Sequence, residues 1–345
     1  MRCVRARRAP LDTFLEFAVA HQLSIVVLGA IQESPLCDAF PPRGVEVLRR
    51  KCREQGARSR LLLRELERLA DRFEAAGQRF LLLKGPYLAA RFYGDAHRRE
   101  FVDLDLLVPA GDRERAFRLL VEAGYARKSR ALLGVRLTCY FVHGIDFVSG
   151  SSKIDLHWCL SRHPSFRIDE RAIWSSRRSY DVGGRPYDVL SDEHEVVLAV
   201  LSMLRDFERG RPKIKNLVDL LRILEALDKR LDWDAFLEAR RGEGTLGPTV
   251  NILGLCLDIA GAHDCFPGLH AALARHAGRR VPVRLAGSPF VFAPASFGLG
   301  NKLWCARVYD ASVAAWLLWW GVSLPFRIAV HRRRHQRPGA GVLWW

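Results

Sequence analysis

Residues 80–109, FLLLKGPYLAARFYGDAHRREFVDLDLLVP, decide how the chain is read. The stretch opens on the apolar run Phe80–Leu83 and turns at Lys84-Gly85. A helix of two turns follows to about Tyr93, with Pro86 at its first position, where a missing N–H costs nothing. Gly94, Asp95 and the basic cluster His97-Arg98-Arg99 form a loop. Val102–Val108 is then a second strand, apolar except for Asp103 and Asp105. Burying an unpaired carboxylate is expensive, so acids in such a strand are expected to be paired or to bind metal. Their i, i+2 spacing puts both on one face, roughly 7 Å apart along the chain, while Leu104 and Leu106 anchor the other. Two carboxylates on a rigid strand can bridge a cation pair about 3.5–4 Å apart, as two-metal phosphoryl transfer requires. Mg²⁺, or Mn²⁺ in its place, is the ion expected beside phosphates.

A third carboxylate is expected from a neighbouring strand. In Lys153-Ile-Asp-Leu-His-Trp158, the residues Ile154, Leu156 and Trp158 share an apolar face and leave Asp155 and His157 on the other. Asp155 is the stronger choice; Asp146, in Gly-Ile-Asp-Phe-Val, competes. His157 either orients the Asp155 carboxylate, touches substrate, or is a hydrogen-bonded structural histidine. His143 is read as structural. At Lys84-Gly85, glycine permits close backbone approach, the helix N-terminus offers N–H groups to phosphate, and Lys84 adds a point charge. Arg98 or Arg99 either binds a triphosphate or neutralises Asp95 or Glu100. Lys215 and Asp219, four apart on one helix, fit an ordinary surface ion pair.

Outward from this stretch, residues 11–31 have helical periodicity, and Pro35, Pro41, Pro42 and Gly44 mark a loop. A long amphipathic helix over 45–76 closes at Gly77. Asp112 is placed to cap a helix running to about Ala123. Strands are expected at Tyr140–Val148 and Lys153–Leu160, joined at Gly150–Ser152, with 126–139 ambiguous. Tyr180–Val182 and Arg185–Val189 form a hairpin across Gly183-Gly184. A loose capping box, Asp192 with Glu195, opens helical segments near 192–208, 213–229, 233–241 and 249–261. The chain divides into an N-terminal helical segment (1–78), an α/β core (79–190), a helical domain (191–280) and an irregular, basic, Trp-rich segment (281–345).

With 345 residues, 49% hydrophobic and 27% charged, the chain has the composition of a globular protein. Its net charge of +16 favours anionic partners without choosing among nucleotides, nucleic acid, lipid headgroups or acidic protein. No nucleic-acid-reading motif is present. Eight scattered cysteines with no CxxC pair exclude a zinc or disulfide framework and fit reduced thiols in the cytoplasm. The basic N-terminus lacks the apolar stretch of a signal peptide. Ala311–Phe326 is uncharged, contains three tryptophans, and at sixteen residues falls short of the roughly 20 that span a bilayer. It is a buried helix, or an interfacial one whose basic flank makes residues 311–337 a peripheral membrane contact.

Leu-Leu-Lys84-Gly85, Tyr93, the arginines before Asp103-Leu-Asp105-Leu-Leu-Val, and Ile-Asp155-Leu-His-Trp together resemble the bacterial uncharacterised nucleotidyltransferase family, within the polymerase-β-like nucleotidyltransferase superfamily. Asn216-Leu-Val-Asp-Leu-Leu-Arg and Leu231-Asp-Trp-Asp resemble its helical half, so that the likeness covers roughly 45–275. The resemblance implies an α+β fold: a mixed sheet flanked by helices, with N-terminal helices and a C-terminal helical domain. It implies metal-dependent transfer of a nucleoside monophosphate from an NTP such as ATP to an acceptor on a small molecule or peptide. Asp103, Asp105 and Asp155 would be the catalytic and metal-binding carboxylates. Lys84 and Gly85, with Arg98 or Arg99, would bind nucleotide. Lys-Gly stands where the superfamily usually has Gly-Ser, so the phosphate-contacting serine is missing. Two other readings are a non-catalytic nucleotide- or partner-binding module on the same fold, and a basic nucleic-acid binder.

Overall fold

The structure, a computed structural model, describes residues 11–34, 40–127, 142–209, 213–280 and 307–309. Among the described residues, three helices precede the first strand. The single helix expected over 11–31 is two: α1 (Leu11–Ala20) and α2 (Ser24–Glu33). Leu23 N–H donates to Ala18 O and Gln22 N–H to Val19 O, the paired bonds of a Schellman ending. Gln22 occupies the position glycine usually takes, at φ 58°. α3 (Pro42–Ala75) starts three residues earlier than expected, with Pro42 in its first turn. It ends, as expected, in front of Gly77 at φ 62°.

The chain then alternates through β1 (Leu81–Leu83), α4 (Gly85–Tyr93), β2 (Leu104–Leu107) and α5 (Arg113–Glu122). Asp112 does not cap α5; its carboxylate pairs with Arg115 at 3.6 Å. β3 (Ala126–Arg127), β4 (Gly144–Ser149) and β5 (Ser152–His157) complete a five-stranded sheet of order β1-β2-β5-β4-β3. β2 and β5 are parallel and the other pairs antiparallel, so the sheet is mixed. Helix α6 (Glu170–Ser175) leads to a separate hairpin, β6 (Arg178–Val182) with β7 (Arg185–Val189).

The two faces of the sheet differ. Leu82, Leu104, Leu106, Ile145, Phe147, Ile154 and Leu156 pack against Leu62, Leu66, Leu69 and Phe73 of α3 and against Phe117 and Leu120 of α5. Fully burying one such side chain stabilises by roughly 1.5–3 kcal/mol, so this face anchors the sheet. Strict alternation sends Asp105, Asp146, Asp155 and His157 to the opposite face.

Helices α7 (Asp192–Glu208), α8 (Ile214–Leu227), α9 (Trp233–Gly242), α10 (Leu246–Ala260) and α11 (Pro267–Arg275) lie on that side. Their apolar residues share one core with Leu81, Leu83, Leu107, Leu88 and Phe92 of the α/β part. The cap of α7 is Ser191, whose Oγ accepts from His194 N–H, not the expected Asp192. Asp192 is buried and pairs with Arg91, Arg178 and Arg230. α10 takes Gly247 and Pro248 into its first turn, where a proline costs no intrahelical bond, so it starts before the expected 249. The resulting fold is α+β, with a mixed sheet flanked by helices. Among the described residues, no helix is long and apolar enough to cross a membrane. The apolar run 311–326 lies outside the described residues.

Candidate active site

β2 and β5 run parallel with Asp105 and Asp155 as direct register partners. Asp155 is also the register partner of Asp146 on β4. Three carboxylates therefore stand in a row across three strands, about 4.8 Å per step. His157 is next on the same face of β5. Its Nε2 is 3.2 Å from Asp105 Oδ1 and 3.5 Å from Asp155 Oδ2. One ligand atom each from Asp105, Asp155 and His157 lies within 4.8 Å of the others, so these three can take one divalent cation.

Asp103 lines the same cavity from one residue before β2, because the strand begins at Leu104 and not at the expected Val102. Its carboxylate accepts from Lys153 Nζ at 2.7 Å, and Lys153 also stands 3.4 Å from Asp146. Of the three carboxylates expected as metal ligands, the structure groups Asp105 and Asp155 with His157 and gives Asp103 a lysine.

Burial opposes charge on Asp105, but the Lys84 ammonium and the His157 hydrogen bond overcome it and hold its carboxyl well below the usual range. Asp155 is pushed the other way. Burial raises its carboxyl, and Asp146 and Asp105 add to the rise against the pull of His157. Adjacent carboxyls with pKa values driven apart suit one as the standing anion and the other as the proton acceptor. Burial drives His143 well below its ordinary pKa, with Arg205 next in effect. Its neutral ring stacks on His157, with centroids 5.4 Å apart and planes at 18°.

Lys84 sits at φ 43°, ψ −141°, a backbone region that costs a non-glycine residue about 1–3 kcal/mol. Gly85 follows at φ 48° and opens α4. The Lys84 ammonium makes no hydrogen bond or ion pair among the described residues, although it feels Asp105 and Asp155. Burial lowers its pKa first of all. A strained turn thus holds a desolvated cation, open to a ligand, at the end of the strand beside Asp105.

Between this face and the helices lies a cavity of about 520 Å³, within the size range of small-molecule sites. From the helical side Arg205 reaches it. Arg205 donates to His143 Nε2 at 2.5 Å and to Ser202 Oγ at 3.2 Å, and has no carboxylate partner among the described residues. Arg162, also lining the cavity, keeps a buried Nε without a hydrogen-bond partner.

The expected arginines separate. Arg98 is exposed on the 94–100 loop and does not line the cavity. Arg99 is 4% exposed and bound through both Nε and Nη2, each at 2.6 Å, to Asp219 rather than to Asp95 or Glu100 side chains. Tyr93 Oη donates to the same carboxylate at 2.7 Å. The expected surface pair of Lys215 with Asp219 is not at the surface: both are buried, and Lys215 donates to Gln22 Oε1 and Glu100 O. The α8 face that carries them packs against the 94–100 loop, which helical spacing alone does not reveal.

Sequence reasoning passed over Gly144 and Arg205. A Cβ on Gly144 would stand 2.7 Å from His157 Nδ1 and 3.2 Å from Asp155 Oδ1. The signal was available, because glycine inside a strand marks a close approach. Arg205 carries no such mark; it is one more arginine on an amphipathic helix.

No curated protein matches the sequence. Among the solved structures similar at low identity are two nucleotidyltransferase-related ones. The antibiotic-resistance factor ANT(2'')-Ia is 14% identical, with 62% of this chain and 96% of that one covered, at a TM-score of 0.36. An antigenic nucleotidyltransferase-like protein from Paracoccidioides brasiliensis is 14% identical over 63% of this chain and 91% of its own, at 0.32. The uncharacterised nucleotidyltransferase family matches residues 8–282. That span takes in the N-terminal helices, the strands bearing Asp105 and Asp155, and the helices that close the cavity, and on it the chain belongs to the uncharacterised nucleotidyltransferase family.

Proposed function

We propose that the protein is a metal-dependent nucleotidyltransferase of the polymerase-β-like superfamily, moving a nucleoside monophosphate from an NTP to a hydroxyl acceptor on a small molecule or peptide. The observation that carries this reading is the pairing of Asp105 with Asp155 in register, with the Lys84 ammonium, at the end of the neighbouring strand, free of any partner among the described residues and lining the same cavity. The donor set fits the divalent cation such enzymes use: two carboxylates and an imidazole, with Gly144 leaving the room they occupy. A cation bound there, Mg²⁺ or Mn²⁺, supplies Lewis-acid stabilisation of the phosphoryl oxygens.

The chain's own residues do the rest. Lys84 and the N–H groups at the start of α4 hold the phosphates, with Gly85 admitting them close to the backbone. Arg205 meets the phosphates from the helical side. Asp155, whose carboxyl is raised, takes the proton of the acceptor hydroxyl as its oxygen attacks the α-phosphorus. The bond from that phosphorus to the bridging oxygen breaks, and pyrophosphate leaves with the bonding pair. Asp103 stands at the cavity edge as the partner of Lys153. Arg99 braces the 94–100 loop on α8 through Asp219. The described cysteines, Cys52, Cys159, Cys256 and Cys265, are free thiols, which fits a cytoplasmic setting.

The test is pyrophosphate release from each NTP, with Mg²⁺ or Mn²⁺, over a panel of hydroxyl-bearing small molecules and peptides. Release is expected, falling at least about a hundredfold in Asp155→Asn, the loss expected for a general base. NTP binding with no release over the whole panel would replace this reading with a non-catalytic nucleotide-binding module.

A further inference from the structure

We infer that the end of the cavity past β5 is the acceptor site, and that it takes a hydroxyl compound bearing a carboxylate or phosphate beside a planar apolar group, with Arg162 on the anion and the Phe166 ring on the apolar part. The inference rests on the nucleotidyl-transfer reading for the end at which the nucleotide phosphates lie.

The strands give the cavity a direction. Leu83 is the register partner of Asp105 and β1 is antiparallel to β2, so Lys84 and Gly85 stand at the start of β2. A Cβ on Gly85 would be 3.6 Å from Asp103 O. β5 runs parallel to β2, and its far end leads from His157 to Ser161, Arg162 and Phe166, which line the same cavity. From Lys153, beside Asp103, to His157 the strand rises about 13 Å.

In-line displacement needs the attacking and leaving oxygens on opposite sides of the phosphorus. With pyrophosphate leaving towards Lys84 and the start of α4, the acceptor oxygen enters past Asp155 from the β5 end. It bonds to the α-phosphorus and its proton passes to Asp155. The bond to the bridging oxygen breaks, its pair going to pyrophosphate. The remainder of the acceptor then lies against residues 161–166.

Two features of that end set the class of acceptor. One is an aromatic wall. Tyr309 stacks on His163, with centroids 4.1 Å apart and planes at 17°, and on Phe166 at 5.4 Å and 23°. His163 and Tyr309 are buried, whereas Phe166 is half-buried and lines the cavity. A ring already held by its neighbours loses little freedom on taking a planar ligand group.

The other is a charge without a counter-charge. Arg162 makes no hydrogen bond or ion pair among the described residues, and its Nε is buried. Leaving a buried donor unmade is costly, so such a group marks a place where a ligand supplies the acceptor atom. Arg209 adds a second cation to the lining. The nearby acids of α7 are engaged: Asp206 accepts from Asn216 Nδ2, and Glu208 from the Tyr309 hydroxyl. A cationic acceptor would meet like charge there, whereas the planar guanidinium fork matches carboxylate and phosphate alike.

The probes each carry a phenyl ring and a hydroxyl: 3-phenyllactate, 2-hydroxy-3-phenylpropyl phosphate, 3-phenyllactamide and 1-amino-3-phenylpropan-2-ol. Each is titrated calorimetrically into the full chain with Mg²⁺, then offered with each NTP while pyrophosphate is measured. Both anions are expected to bind at least about tenfold more tightly than the amide, and the amine more weakly still. Whichever anion binds better names the source of the charge. Arg162→Ala should weaken both anions by about 10- to 100-fold and leave the amide unchanged. Its KM for the NTP should stay where it was, which separates it from Arg205→Ala. Arg162→Lys, a point charge without the fork, should lose part of the anion affinity and covers the case in which Arg162→Ala fails to fold. Amide binding equal to that of the anions, failure of both anions to bind, or anion binding unmoved by Arg162→Ala overturns the assignment. Pyrophosphate release with the amide or amine as readily as with the anions would sink this inference and keep the nucleotidyl-transfer reading. Anion binding that depends on Arg162, with no release from any NTP, would do the reverse.

Discussion

Two buried charge clusters, one around Asp219 and one around Asp105, lie near one cavity, and they are built on opposite terms. Around Asp219, each group has a partner: Arg99 holds the carboxylate with two hydrogen bonds, Tyr93 with a third, and Lys215 is satisfied by Gln22 and a backbone carbonyl. Around Asp105 the books do not balance. The Lys84 ammonium has no hydrogen-bond partner among the described residues, Arg205 has only neutral ones, and Asp155 carries a carboxyl raised by burial and by its acidic neighbours. A cluster that closes on itself holds the fold; one left open to a cavity is poised for a ligand. The distinction lies in the partners, since both clusters are buried and similarly charged.

The largest expected effect breaks the closed cluster. Asp219→Ala leaves Arg99 as a buried cation with no counter-charge, which costs about 3–5 kcal/mol. Asp105→Asn, in the open cluster, removes a like charge from Asp155 as well as a counter-charge from Lys84, so its effects offset and it is expected to cost less stability than Asp219→Ala while abolishing transfer. Urea unfolding of both variants decides. Equal stability losses would mean the clusters do not differ in the way their partners suggest.

Glu195 lies on the border between the two, beside Lys84 and Asp219 around a small internal cavity. It is 1% exposed and its Oε2 has no hydrogen-bond partner. Burial raises its carboxyl from 4.5 to about 7, against the pull of Arg91 and Lys84. Between those pH values the folded state binds more protons than the unfolded one, so stability from this group is present below pH 4.5 and lost as pH rises towards 7. The full loss is about 3 kcal/mol. Glu195→Gln is therefore expected to be more stable than the wild type at pH 8 by up to that amount and to converge with it near pH 4.5. Denaturant midpoints at the two pH values check this, and a pH-independent difference would count against a titrating Glu195.

These contrasts also show which features the chain discloses by itself. Alternation with Leu104 and Leu106, and with Ile154 and Leu156, was enough to put Asp105 and Asp155 on one face. The apolar run before Lys84-Gly85 was enough to place a strand-to-helix turn. What stayed hidden depended on contacts between distant elements. Nothing near Asp219 in sequence points to Arg99, 120 residues away, and the i, i+4 neighbour Lys215 was the natural but mistaken partner. The contact of His157 with Asp105 was likewise invisible, because alternation gives its face but not the reach of its ring across to β2. Gln22 hid the break between α1 and α2 by doing without glycine what glycine usually does there.

Arg205 sharpens the open side of the comparison. If it is kept for phosphates, Arg205→Ala should remove charge-assisted hydrogen bonds worth about 1.5–3 kcal/mol from nucleotide binding, raising KM for the NTP by about 10- to 100-fold. Its present partners, His143 and Ser202, are neutral, so stability should hardly change. A large fall in stability with KM unchanged would instead place Arg205 among the structural arginines.

The smallest expected effect belongs to Arg98, next in sequence to Arg99 and equally basic. Its neighbour is buried against Asp219, whereas Arg98 is exposed, pairs with no carboxylate among the described residues, and lies off the cavity. Arg98→Ala should alter stability by less than about 0.5 kcal/mol, as exposed substitutions away from special features do. It should also leave KM for the NTP where it was. Arg99→Ala, one residue on, should match the loss in Asp219→Ala, and the double variant of Arg99 and Asp219 should cost less than the two losses added, since each single change orphans the other's charge. If Arg98→Ala raised KM as Arg205→Ala is expected to, the 94–100 loop would have to close over the nucleotide. The brace from Arg99 to Asp219 would then be the hinge of that movement rather than a fixed strut.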